Sequence, residues 1–207
     1  MGKQNWKPGN MLNPVPAVMV SVADKNGKAN IITIAWAGTI CTNPPMVSIS
    51  VRPERHSYAM MKKTKEFVIN LTTEKLAYAT DYCGVRSGKD VDKFKEMKLT
   101  AEKSETLEYA PIIEECPVNI ECKVTEIKEL GSHHMFIANV KAVYVDEMFQ
   151  SRGIGGMLLV KAIEKACELK TIEQVELSVV TEQSAAFALY QKNGFEVLPY
   201  MEMKKEN

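Results

Sequence analysis

No run of apolar residues in this chain approaches the roughly 20 needed to cross a bilayer as a helix, so no membrane partner is expected. Net charge is missing as well. The 207 residues carry 26 Lys and Arg against 26 Asp and Glu, and such a balance lacks the basic footprint of a nucleic-acid binder. The five cysteines include no C-x-x-C pair and are odd in number. They read as reduced thiols of a cytoplasmic protein rather than as a disulfide framework or a zinc site. The opening stretch, "MGKQNWKPGNML", has no apolar export core, and Trp6 stands where a myristoylation site wants Ser or Thr. Internal repeats and Pro/Ser/Gly-rich linkers are absent too. What is present is an ordinary globular composition, 45% apolar and 25% charged.

The apolar residues change period once along the chain. "PVPAVMVSVAD" and "NIITIAWAGTIC" are β-like and joined by the hairpin-type turn "DKNGK". In "MVSISVR" Val47, Ile49 and Val51 alternate with Ser48, Ser50 and Arg52, which predicts a half-buried strand with one polar face. A helix over "HSYAMMKKTK", a strand over "EFVINL", a short helix over 73–83 and a polar loop "CGVRSGKDVDKF" leading into another short helix follow. Two further strands are expected in "PVNIECKVTEI" and "HHMFIANVKAVYVDE". After Gln150 the spacing becomes helical, with Leu159, Ala162, Ile163, Ala166 and Leu169 on one stripe. A strand "VELSVV", a helix "SAAFALYQKNG" stopped by Gly194 and a last strand "FEVLPYMEMK" complete the pattern. The expected organisation is a strand-rich module over 1–148 and a short β-α-β-α-β segment over 149–207.

The polar face of "MVSISVR" is the first candidate site. Ser50 and Arg52 share it, and Arg55 and Ser57 follow within one turn. Guanidinium and hydroxyl groups so grouped suit a phosphate dianion. Trp36 offers a flat surface, and the "AGT" after it lets backbone approach a planar ligand because Gly38 has no side chain. On periodicity alone the plainer reading is favoured: Trp36 in the core and the arginines on a solvated face. Lys93, in a polar loop, reads by itself as a solvated lysine, and Cys41 as a small buried hydrophobe. His133 and His134 are adjacent on a strand and point to opposite faces, so they cannot readily share one ion, and no metal site is expected.

Taken in order, "PVPAVMVSV", "NIITIAWAGTICTNPPMVSISVRPERHSY", "FVINL", "CGVRSGKDVDKF", "ECPVNIECKV" and "ELGSHHMFIANV" resemble the flavoredoxin group of the flavin-reductase-like, FMN-binding split-barrel proteins over residues 11–147. The resemblance implies a mostly β, Greek-key split barrel that forms a homodimer and holds FMN non-covalently near the subunit interface. It also implies roles for individual residues. Asn30, Trp36, Ala37, Gly38 and Thr39 would contact the flavin, and Ser50, Arg52 and Ser57 its phosphate end. Lys93 and His133 match further FMN-contacting positions, where a cation near the ring would favour the reduced, anionic flavin.

The stretch "QSRGIGG" resembles the Gln/Arg-x-x-Gly-x-Gly/Ala loop of the GNAT N-acetyltransferase superfamily at Gln150, Gly153 and Gly155, and the resemblance extends over about 143–205. Small residues at a helix N-terminus allow backbone N–H groups to approach a pyrophosphate, which for this superfamily is that of acetyl-CoA. Tyr190 matches the tyrosine that often protonates the departing thiolate. Ser184 stands where many members have asparagine, and the strands that build the acceptor site in that superfamily are missing. "VKAVYVDE" serves both resemblances, as the last strand of one and the first of the other.

The leading expectation is a cytoplasmic FMN-dependent, flavin-reductase-like oxidoreductase or electron-transfer protein, taking electrons from NAD(P)H or from a protein donor. The alternatives are an acetyl-CoA-binding protein or acetyltransferase through the C-terminal segment, and a non-catalytic FMN-binding dimer. No residue is singled out as catalytic.

Overall fold

The alternating segments of the first module become strands of one antiparallel sheet. The structure, a computed structural model, describes residues 2–146, 159–161, 163–164, 168 and 185–197. Contacts between Cα atoms divide the chain into two compact units, Met1–Asp146 and Glu147–Asn207.

In the first unit the strands are β1 (Val18–Ala23), β2 (Ala29–Ile34), β3 (Ala37–Cys41), β4 (Met46–Val51), β5 (Glu66–Leu71), β6 (Ala101–Glu102), β7 (Ile112–Ile113), β8 (Val118–Leu130) and β9 (His133–Val145). The helices are α1 (His56–Thr64), a 3-10 turn (Glu74–Leu76), α2 (Ala77–Val85) and α3 (Lys93–Met97). Seven strands form a sheet in the order β2-β1-β5-β8-β9-β4-β3, and β6 pairs with β7. The expected β-like run "NIITIAWAGTIC" is two strands, broken at Ala35 and Trp36. At that break the Ser50 N–H donates to the Trp36 carbonyl at 2.9 Å. This bond extends the β3–β4 ladder, in which Ala37 pairs with Ile49, by one residue, so the chain passes from β2 directly onto β4 at the other end of the sheet. Two register shifts in the β8–β9 hairpin, at Glu121/Cys122 and Val124/Glu126, supply extra local twist. The two-residue pair β6–β7 is too short to leave a periodic signal.

Alternation decides which residues fill the barrel. Val18, Val20, Val22, Ile32, Ile34, Val47, Ile49, Val51, Phe67 and Ile69 pack together inside, with Tyr58, Met60 and Met61 of α1 closing against them. The opposite parity of β1 and β2 faces outward. There Met19 and Ile31 meet Ala79 and Cys83 of α2, Phe94 of α3, and Leu99, Ile113 and Cys116. Burial on both faces explains why "VMVSVA" is buried throughout rather than half-exposed.

Two carboxylates on the outer face of β5 and β8 hold the segment 104–110 in place. Glu66 accepts from the backbone N–H groups of Glu108 (3.3 Å), Tyr109 (2.8 Å) and Ala110 (3.4 Å) and from Lys123 Nζ at 2.6 Å. Glu121 accepts from the N–H groups of Glu105 at 3.0 Å and Thr106 at 2.9 Å, and from the Thr106 hydroxyl. Both are fully buried, and burial of an ionised carboxylate is sustainable only with donors of this kind around it. Burial by itself raises the Glu66 pKa, but the Lys123 ammonium and the Tyr109 and Glu108 N–H groups outweigh it and hold the carboxyl below its ordinary range.

Of the second unit, residues 159–161, 163, 164 and 168 are helical, in line with the expected amphipathic stripe. Helix α4 (Ala185–Lys192) ends as the sequence implies. Gly194 takes φ +84°, a left-handed conformation that favours glycine, and the Phe195 N–H reaches back to the Tyr190 carbonyl at 3.1 Å. The expected strands "VELSVV" and "FEVLPYMEMK" lie wholly or mostly outside the described residues. No helix among the described residues is long and apolar enough to cross a membrane.

Candidate functional site

The chain leaves β4 at Val51 and turns sharply, with the Arg55 N–H donating to the Arg52 carbonyl at 3.1 Å. Helix α1 then starts at His56 without a side-chain cap on its first N–H groups, so the helix opens with donors facing outward. A cavity of about 550 Å³ lies at this point, lined by Asn30, Ile32, Arg52, Glu54, Arg55, His56, Ser57, Cys83, Arg86, Ser87, Gly88 and Lys93. Four permanent or near-permanent cations thus face it against one carboxylate, Glu54.

Three elements fix the polar floor. Asn30, on β2, is buried and donates from Nδ2 to Ser57 Oγ at 2.8 Å. The loop after α2 folds over this pair so closely that a Cβ on Gly88 would run into the Asn30 carboxamide. Lys93, the first residue of α3, points inward. Its side chain is buried and Nζ donates to the carbonyls of Ile31 at 2.6 Å and Cys83 at 2.8 Å. Desolvation lowers the Lys93 pKa, while the Cys83 thiol works the other way. Burial pushes the Cys83 thiol up to about 11. His56 is also lowered, by burial first and then by Lys28, Lys89 and Lys93.

The residues singled out in the sequence divide into two groups. Asn30, Arg52, Ser57 and Lys93 line the cavity. Trp36 and His133 form a separate pair outside its lining, their ring centroids 4.3 Å apart and tilted by 37°. Ser132 Oγ lies 3.0 Å from His133 Nδ1, and burial together with the nearby Arg52 lowers the His133 pKa. Ala37, Gly38 and Thr39 lie on β3, the edge strand beside this pair, with Gly38 and Thr39 exposed. Ser50 is half-buried on β4 and is not part of the cavity lining.

Three of the plainer readings fail. Trp36 is 44% exposed and therefore not a core residue. Lys93, 4% exposed, is not solvated, because two backbone carbonyls replace its water. Cys41 is half-buried on the edge strand rather than part of the core. Sequence reasoning passed over His56, Cys83, Arg86, Ser87 and Gly88 as site residues. The available signal was the Arg, Ser and Gly cluster in "CGVRSGKD", which read only as a loop. Of the second unit's candidates, Gln150, Gly153 and Gly155 lie outside the described residues, as does Ser184. Tyr190 is half-buried on α4, with its ring 5.9 Å from that of Phe195.

Comparison with known proteins settles what kind of fold surrounds this cavity. The family model described as "Flavin reductase like domain" matches residues 11–162. The chain belongs to that family. The solved flavoredoxin of Desulfovibrio vulgaris (Miyazaki F) is 31% identical with a TM-score of 0.66, over 71% of this chain and 78% of that one. The flavoredoxin of Methanosarcina acetivorans is 30% identical with a TM-score of 0.63, over 70% and 77%. A flavin reductase of Pseudomonas putida is 23% identical over 148 residues, 69% of this chain and 83% of that protein. The first unit is thus a flavin-reductase-like split barrel. A second model, "Acetyltransferase (GNAT) domain", matches residues 126–206. The two matches overlap across the end of β8 and all of β9, the strand that both resemblances share.

Proposed function

We propose that the flavin-reductase-like unit binds FMN, with its phosphate in the cavity at the start of α1, and works as a flavin-dependent oxidoreductase or electron carrier. The observation that carries this reading is the cavity's charge and form. Arg52, Arg55, Arg86 and Lys93 meet a helix N-terminus and the hydroxyls of Ser57 and Ser87 in one place. Those groups fit a phosphate dianion, and a volume of about 550 Å³ suits a cofactor-sized ligand. Bound, the flavin would supply electron and hydride transfer. The chain's part is to hold the phosphate, to place Trp36 and His133 beside the exposed edge of β3, and to keep Lys93 as a fixed positive charge below. NAD(P)H or a protein partner would be the donor.

If the phosphate is the main anchor, Arg52→Ala is expected to weaken FMN binding about 10- to 100-fold, since a charge-assisted hydrogen bond is worth about 1.5–3 kcal/mol. His134→Ala is the matched control. Its Nδ1 is engaged with the Tyr58 hydroxyl at 2.8 Å, outside the cavity lining, so affinity should stay unchanged. Titration by flavin fluorescence checks both, and equal affinity in the two variants would refute the assignment.

The same reading includes a homodimer. Strand β3 is the sheet's last strand, and it presents Ile40, 48% exposed, while Trp36 just before it is 44% exposed. An apolar, unpaired edge of this sort favours association with a second copy. Light scattering of the flavin-loaded protein is expected to give twice the chain mass of 23.2 kDa; a single-chain mass with flavin bound would count against it.

Acetyl-CoA binding by the C-terminal unit stands as a second reading, favoured by the acetyltransferase match over 126–206. Acyl transfer requires an oriented acceptor, which supplies about 7–11 kcal/mol of the barrier. The residues before 126, where an acceptor site would be built, belong here to the flavin-reductase-like barrel.

A further inference from the structure

Helix α2 carries an apolar stripe that is left open to solvent. Tyr78, Tyr82 and Val85 recur at helical spacing on one face, while Ala79, Thr80 and Cys83 are buried on the other. Tyr78 is 73% exposed and Val85 68%, and the two tyrosine ring centroids lie 6.4 Å apart. The segment before β1 has a matching character. Residues 2–14 are exposed without exception, yet they include Trp6, Met11 and Leu12, the first of them 74% exposed. We infer that this arm of one chain docks on the α2 stripe of a second copy, each chain giving one arm and receiving one.

Charge selects this pairing. Residues 2–17 hold Lys3 and Lys7 and no acid, so the arm is cationic. At the helical repeat Glu74 and Asp81, two turns apart and both exposed, share one flank of the stripe. Lys75 and Arg86 fall on the other flank, and Arg86 there lines the cavity. An arm laid with Lys3 and Lys7 along the acidic flank brings Trp6 onto the tyrosines. Trp and Tyr are the side chains that most often anchor an interface, because each joins a large apolar body to a polar tip.

Reach and stiffness allow the exchange. The arm is rooted where Thr72 Oγ1 donates to the Ala17 carbonyl at 3.2 Å, a few residues before α2 of the same chain begins. Within one chain the arm does not settle on that helix. Among the described residues its own hydrogen bond is internal, from the Met11 N–H to the Gly9 carbonyl at 3.0 Å. From Ala17 to Trp6 an extended chain spans roughly 36 Å, enough to cross onto a neighbouring molecule. Pro8, Pro14 and Pro16 fix φ at three points, which lowers the ordering cost of docking. The second copy is the one supplied by the homodimer proposed above, on which this docking rests, and two-fold symmetry makes the exchange reciprocal.

Photo-cross-linking of the full chain, with benzoylphenylalanine in place of Trp6, tests the docking. Illumination is expected to give a covalent species of twice the 23.2 kDa chain mass on a denaturing gel. Mass spectrometry of its tryptic digest should join position 6 to the peptide 76–86, which holds Tyr78, Tyr82 and Val85. Asp81 is exposed, so Asp81→Lys should fold normally. It should lower the cross-link yield below saturation, by up to about fivefold for an exposed ion pair, and adding Lys7→Glu should restore the yield. Light scattering of the same sample before illumination separates this docking from the homodimer itself. A dimer that cross-links at another peptide, within one chain or not at all overturns the docking and leaves the homodimer standing, as does a yield indifferent to Asp81→Lys. A single-chain mass overturns both.

Discussion

Gly88→Ala is expected to weaken FMN binding about 10- to 100-fold, a large effect for one methyl group placed on a loop. The added Cβ would fall on the Asn30 carboxamide. Asn30 cannot easily yield, since it is 4% exposed and its Nδ2 donates to Ser57 Oγ at 2.8 Å. Either that bond breaks or the loop carrying Arg86 and Ser87 lifts away, and both outcomes alter the wall that faces the phosphate. Overpacking of this kind costs about 1–3 kcal/mol, and most of it would fall on the bound state, which needs loop and floor together. Gly84→Ala makes a useful comparison. Its Cβ would meet Thr33 Cβ at 3.3 Å, a tight contact but one at which a shift of a few tenths of an ångström suffices, so affinity should change little. Fluorescence titration of both variants decides the matter. An unchanged Kd for Gly88→Ala would show that the loop does not shape the site.

What the sequence reveals of this site, and what it hides, depends on whether a feature is local. The face of β4 is legible because a strand turns side chains over with period two. Ser50 and Arg52 could therefore be placed together without any tertiary information, and Arg55 and Ser57 followed because one turn of chain separates them. Gly194 is legible for the same reason, as a local helix stop. Gly88 is not. Its absent side chain answers to Asn30, far away in the chain, and nothing near "RSGK" records that contact. Lys93 shows the same limit with opposite sign. A lysine amid aspartates and glycine reads as solvated, and only α3 packing against β2 and α2 brings it to the carbonyls of Ile31 and Cys83. Trp36 reads as core because it sits in an apolar run. The break in that run, fixed by the Ser50 N–H reaching its carbonyl, turns the ring outward onto His133. His56 reads as the plain start of a helix between Arg55 and Ser57, and only the fold shows that it lines the same cavity as Asn30 and Lys93.

Glu66→Ala is expected to destabilise the first unit by about 3 kcal/mol at pH 7, because several donors lose one acceptor at a stroke and each unsatisfied group costs about 1–3 kcal/mol. Lys123, with its side chain 45% exposed, can turn to water. The Glu108 and Tyr109 N–H groups can reach solvent in part, whereas Ala110, 1% exposed, cannot. For a chain of this size the melting temperature should fall about 6–12 °C. Loss of the clamp should also loosen Leu107 and Ala110 from Val68, against which they pack. The effect depends on pH in a defined direction. The Glu66 pKa is depressed in the folded state, so its contribution is fully present above the unfolded carboxyl value of about 4.3. It is lost as pH falls through the lower, folded value. Urea unfolding at pH 7, 5 and 3 should therefore show a gap between wild type and variant that is constant over the first two and shrinks at the third. Hydrogen exchange at 105–110 should rise in the variant at pH 7. A gap below about 1 kcal/mol at pH 7, where loss of a paired buried carboxylate ordinarily costs more, would mean that segment 104–110 is held mainly by its apolar contacts and the Glu121 carboxylate, and that Glu66 is a passenger.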